Sequence, residues 1–166
     1  YLDNPLTFWK EAFGKLNPTS KLILLILLTS SEPMGLEDLK RTFDAVQVEA
    51  RETLNAEIAP LDFRKELVKL EEFYIVIDDD NYYDTALIQF QSPGIKDYLL
   101  EFLRTDGYLW IKPIISNAKF FNQLTFVFST DNDGEIRDYE SDIYLHGQKI
   151  KLDGNLRKVS KQKIIS

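Results

Sequence analysis

Apolar positions along this chain follow a helical period through the first seventy residues, alternate for a stretch, then return to a helical period. Asn4-Pro5 sets a capping side chain before a proline suited to the first helical position. Leu6, Trp9, Phe13 and Leu16 follow at helical spacing. Asn17-Pro18 repeats the device and opens a second helix. Its residues 22–28 are apolar without interruption, which predicts a central buried helix. Residues 30–35 break the pattern. Leu36, Leu39, Phe43 and Val46 mark a third helix with an acidic outer face. Residues 47–59 keep a helix-forming composition without a clean stripe and read as an extension of that helix or an insertion. Pro60 starts a fourth helix with Phe63, Leu67 and Leu70 on its inner face.

At residue 73 the period changes. Residues 73–77 are aromatic and β-branched, the composition of a strand. Residues 78–84 make a polar turn, and 85–91 alternate with Ala86, Ile88 and Phe90 on one side. Two strands joined by a short polar turn predict an antiparallel hairpin. Helices followed by such a hairpin form the winged-helix arrangement, with the hairpin as wing and the helix over 61–71 as the one that enters DNA in DNA-binding relatives. A crisp switch follows in FQSPGIKDYLLEFL. Phe90 closes the wing, Ser92 is the expected cap, and Pro93 takes the first helical position. Ile95, Tyr98, Leu99 and Phe102 form the inner face, and Asp106-Gly107 stops the helix. Further helices are expected over 108–116 and 118–128, with Pro113 and Asn117 as punctuation. Residues 142–152 suit a second hairpin around His146-Gly147.

The expected fold is therefore mainly α (α+β). A winged-helix domain over 1–91 carries a helical extension over 92–129. An acidic loop and basic tail, with a small hairpin, fill 130–166.

Charge narrows the partners. The 166 residues sum to −7, but 147–166 hold six bases and one acid. That tail is +5, which leaves −12 on residues 1–146, a poor match for a phosphate backbone. No cysteine is present, so disulfides and thiolate metal sites are excluded; a reducing cytoplasm suits this composition and is the expected location. The one histidine, His146, excludes multi-histidine metal sites and argues against histidine acid–base catalysis. The longest apolar run is seven residues, against about 20 for a bilayer span, so no membrane partner is expected. The chain starts at Tyr1 and its one methionine is Met34, which reads as a piece of a longer protein.

Candidate chemistry is sparse. Residues 129–140, STDNDGEIRDYE, resemble a calcium loop, with Asp131, Asp133, Gly134, Ile136 and Glu140 at its third, fifth, sixth, eighth and twelfth places. Ser129 stands where an aspartate anchor belongs, and no second loop pairs with it, so an acidic surface loop with a tight Asp-Gly turn is the favoured reading. On the fourth helix Arg64, Lys65 and Lys69 are candidate contacts to nucleic acid or a partner. Yet residues 36–72 hold ten acids and six bases, which favours a solvated face with intrahelical ion pairs. Arg157, Lys158 and Lys161 of the tail are further candidates, toward nucleic acid, an acidic partner or the chain's own acidic residues 131–142. Asp78, Asp79, Asp80 and Asp84 cluster at the wing tip, where turns collect aspartate for backbone reasons. No G-x-x-x-x-G-K-S/T run exists, so these residues hold no phosphate-binding loop. No catalytic residue, metal site or cofactor is expected.

The succession NPLTFWKEAFGKL, SKLILLILL, EPMGLEDLKRTF, FRKELVKLEEFYIVI, IQFQSPGIKDYLLEFL and ISNAKFFNQL, over about residues 4–126, resembles the region after the ATPase core in bacterial STAND-class NTPases, especially the novel-STAND subgroup. Those are large signal-transducing ATPases, many linked to antiphage defence. In them a winged-helix segment follows the nucleotide module. A strand there leads into Asn or Ser, then Pro, any residue, Ile or Val, Arg or Lys, Asp, Phe or Tyr, and Ile or Leu. Here Phe90 ends the strand and the phrase runs Ser92, Pro93, Gly94, Ile95, Lys96, Asp97, Tyr98, Leu99. The resemblance implies a non-catalytic regulatory domain. Its partner is the nucleotide module upstream on the same chain, with other proteins as further partners. The phrase serves as a structural hinge between wing and extension. Some STAND relatives use a winged-helix histidine on the nucleotide phosphate. His146 lies outside that segment, so the role does not carry over. The alternative reading is a winged-helix DNA-binding module of a transcription regulator.

Overall fold

The computed structural model describes residues 4–30, 33–79 and 84–117, with the backbone of 143–145 and 148–150. Both Asn-Pro starts form as expected. Asn4 Oδ1 accepts the Thr7 N–H at 3.4 Å and opens α1 (Pro5–Gly14). Asn17 Oδ1 accepts the Ser20 N–H at 2.9 Å and opens α2 (Pro18–Thr29). Residues 22–28 are all buried, so α2 is the core helix that its unbroken apolar run predicts.

β1 (Met34–Gly35) follows, then α3 (Leu36–Leu54). Residues 47–54 thus extend the third helix. The helix stops at Asn55, whose φ of 47° lies in the left-handed region that Asn tolerates better than most residues. The loop beyond is tied to α2, because the Ala59 N–H donates to Thr19 Oγ1 at 3.1 Å. Pro60 opens a 3-10 turn (Pro60–Asp62) that runs into α4 (Phe63–Glu71). Phe63 meets Phe43 of α3 with ring centroids 5.1 Å apart.

β2 (Ile75–Asp78) and β3 (Leu87–Phe90) pair antiparallel, Ile75 opposite Phe90 and Asp78 opposite Leu87. The first strand starts two residues later than the composition suggests. The Tyr74 N–H still donates to Leu70 O, at 2.7 Å, so Phe73 and Tyr74 form the turn that follows α4. The sheet also has a third strand where only a break was expected. β1 pairs antiparallel with β3, giving the order β1-β3-β2. A two-residue strand has no alternation to read; its pairing is imposed by β3.

α5 (Pro93–Thr105) leaves the sheet at once. Ser92 has the extended backbone of a cap, but its hydroxyl makes no capping hydrogen bond, contrary to expectation. Pro93 alone sets the start, through its fixed φ. At the other end Asp106 and Gly107 N–H groups both donate to Phe102 O, at 2.8 and 2.6 Å. A Cβ on Gly107 would lie 2.7 Å from the Phe102 ring and 2.9 Å from Leu103 Cα, so this turn requires glycine. α6 (Tyr108–Ser116) contains Pro113 inside it and ends at Asn117. Pro113 is therefore not a boundary. Its missing N–H leaves the carbonyl four residues earlier, at half-exposed Leu109, without the usual helical donor. Asn117 Nδ2 donates to Glu49 Oε2 at 2.7 Å and fixes the end of α6 on α3.

The protein is thus mainly helical with a small antiparallel sheet, and one core cluster runs from Phe13 of α1 to Ile115 of α6. β4 (Ile143–Leu145) and β5 (Gln148–Ile150) form the expected second hairpin, and β5 lies against α5. The helix expected over 118–128 falls outside the described residues. Among the described residues no helix is long and apolar enough to cross a membrane.

Candidate functional site

The phrase after the β2–β3 hairpin divides into an inner and an outer half. Phe90, Ile95 and Tyr98 are buried, while Pro93 and Asp97 are exposed and Ser92 is half-buried. The inner half joins two helices to the sheet. Tyr98 and Phe102 of α5 pack on Phe13 of α1, with centroids 5.6 and 4.9 Å away. At the first turn of α5, Gly94 admits the indole of Trp9: a Cβ there would stand 2.8 Å from Trp9 Nε1. Trp9 also meets Phe73 at 5.3 Å and Tyr74 at 6.0 Å, and Phe8 meets Phe73 at 5.7 Å. α1 is thereby pinned to both the end of α4 and the start of α5, with Phe8 and Phe73 left partly exposed. Burial, and then the negative charge of Asp106, push the Tyr98 phenol above its usual range. That phenol stays neutral and serves packing.

α4 carries the other candidate surface. Glu66 points inward and is 4% exposed. Its Oε2 accepts from the Ser20 hydroxyl at 2.8 Å, and its Oε1 accepts from Lys69 Nζ at 2.8 Å. Burial alone raises a carboxyl pKa. The hydrogen bonds from Lys69, Ser20 and Asn17, with the Lys69 charge, outweigh it, so the Glu66 carboxyl is held below its usual range. The ionised carboxylate at the start of α2 also faces the positive end of that helix. This set has a hydroxyl, a carboxylate and an amine in contact, yet Ser20 is itself buried at 1% exposure. The arrangement holds α4 on α2; it does not present a nucleophile.

Lys69 is therefore drawn from the expected contact surface into an ion pair with Glu66, one turn back. Arg64 and Lys65 do face outward and make no ion pair among the described residues. Two exposed apolar residues stand by them, Leu61 at 98% in the 3-10 turn before α4 and Val68 at 60% on α4 itself. Asp62, Glu71 and Glu72 are exposed at its two ends. A surface that mixes bare leucine and valine with acids offers a phosphate backbone little.

The remaining sequence candidates are not brought to either surface. Asp131, Asp133 and Glu140 of the calcium-like loop, and Arg157, Lys158 and Lys161 of the tail, lie outside the described residues. Asp78, Asp79 and Asp84 are described beside the β2–β3 connection, and Asp80 lies outside the described residues. Among the described residues no group of three acids or histidines is placed to hold a metal.

Two features escaped sequence reasoning. Glu66 shares the helical face of Phe63, Leu67 and Leu70, so its spacing already marked it as inward. Nothing in the local sequence marked Ser20 as its partner, 46 residues away. The Trp9–Gly94 contact likewise had only the glycine as a hint. No protein-family model, no curated protein and no solved structure matches this chain.

Proposed function

We propose that this chain is a winged-helix regulatory region of a STAND-type ATPase. In this reading it is non-catalytic, acts in the cytoplasm, and couples a nucleotide module on the same polypeptide to the parent protein's signalling output. The observation that carries the reading is the element order. α2, β1, α3, α4, β2 and β3, with sheet order β1-β3-β2, follow the succession of a winged helix. The Ser-Pro-Gly-Ile-Lys-Asp-Tyr-Leu phrase then opens α5 directly from β3. The outer side of α4 supports a protein partner. Coupling requires that the module contact this region differently in its two nucleotide states, since only differential contacts shift an equilibrium. The exposed Leu61 and Val68 supply apolar area for such a contact.

The alternative, a DNA-binding module, draws on Arg64 and Lys65, the two outward bases of α4. Fluorescence polarisation with a labelled duplex across salt concentrations separates the two. The coupling reading expects only weak binding, abolished by moderate salt. Nanomolar affinity with a steep salt slope that Arg64→Ala and Lys65→Ala flatten would establish the DNA-binding module instead.

A further inference from the structure

We draw no further inference here: the strongest candidate, the partly exposed aromatic patch that Phe8 of α1 forms with Phe73 of the turn after α4 beside Trp9, carries nothing because nothing in the structure shows what covers it.

Discussion

Ser20→Ala isolates the contact on which the placement of α4 depends. The variant removes one hydroxyl and adds no bulk, and the lost partner is an ionised carboxylate that is 4% exposed. Hydrogen bonds to charged groups contribute about 1.5–3 kcal/mol. The half-exposed Lys69 pair is worth less, about 0.5–1 kcal/mol after solvent screening. Ser20→Ala should therefore cost about 2 kcal/mol and lower the urea midpoint by about 1 M, for a slope near 2 kcal/mol per M. Trp9 and Trp110 fluorescence reports the transition. Glu66→Gln, which keeps acceptor capacity for Ser20 and loses only the charge, should cost about 1 kcal/mol, and the two changes together should be clearly less than additive. pH gives an independent reading. The Glu66 carboxyl titrates below its ordinary value near 4.5 when folded, so its contribution is complete above that value and fades as pH falls through the lower folded one. The Ser20→Ala variant should accordingly lose less stability on acidification than the parent chain. A cost below about 0.5 kcal/mol, or full additivity with Glu66→Gln, refutes the assignment of this network as the α2–α4 clamp.

Other substitutions probe other parts of the account by the same urea titration. Gly94→Ala should destabilise by about 1–2 kcal/mol and shift Trp9 emission, because the added methyl meets an indole already boxed in by Phe73 and Tyr74. The gain in helix propensity, about 0.5–1 kcal/mol at most, does not offset it. Asn55→Ala should cost about 1 kcal/mol and Asn55→Gly should not, since φ of 47° is the issue. Leu24→Ala, at a fully buried position of α2, should cost about 3 kcal/mol, whereas Leu61→Ser should leave stability within about 0.5 kcal/mol. A large loss from Leu61→Ser would mean that the outer side of α4 is already covered.

Much of the fold was legible because its signals are local. Asn4-Pro5 and Asn17-Pro18 fix two helix starts by chemistry within three residues. An apolar run that fills every face of a helix has one stable place, the core. Asp106-Gly107 ends α5 because the Phe102 carbonyl and ring leave room for nothing larger. What stayed hidden is set by partners far along the chain. β1 exists because β3 offers an edge to Met34 and Gly35. Lys69 makes an intrahelical ion pair of the kind the charge balance favoured, but that its inward-turned partner Glu66 is held by Ser20 had no local signal. Ser92 had the right identity and backbone for a cap, but its hydroxyl does not take that role. The charge argument was legible early and acts at the right place: exposed acids stand at both ends of α4, and exposed Leu61 and Val68 flank its two outward bases.

The central claim is that this region serves a nucleotide-binding module on its own polypeptide. The most direct test is to read the coding sequence immediately upstream of Tyr1. An in-frame G-x-x-x-x-G-K-S/T run following a strand-like segment is the predicted result. An upstream frame that lacks any phosphate-binding loop contradicts the claim and leaves the DNA-binding reading as the one to pursue.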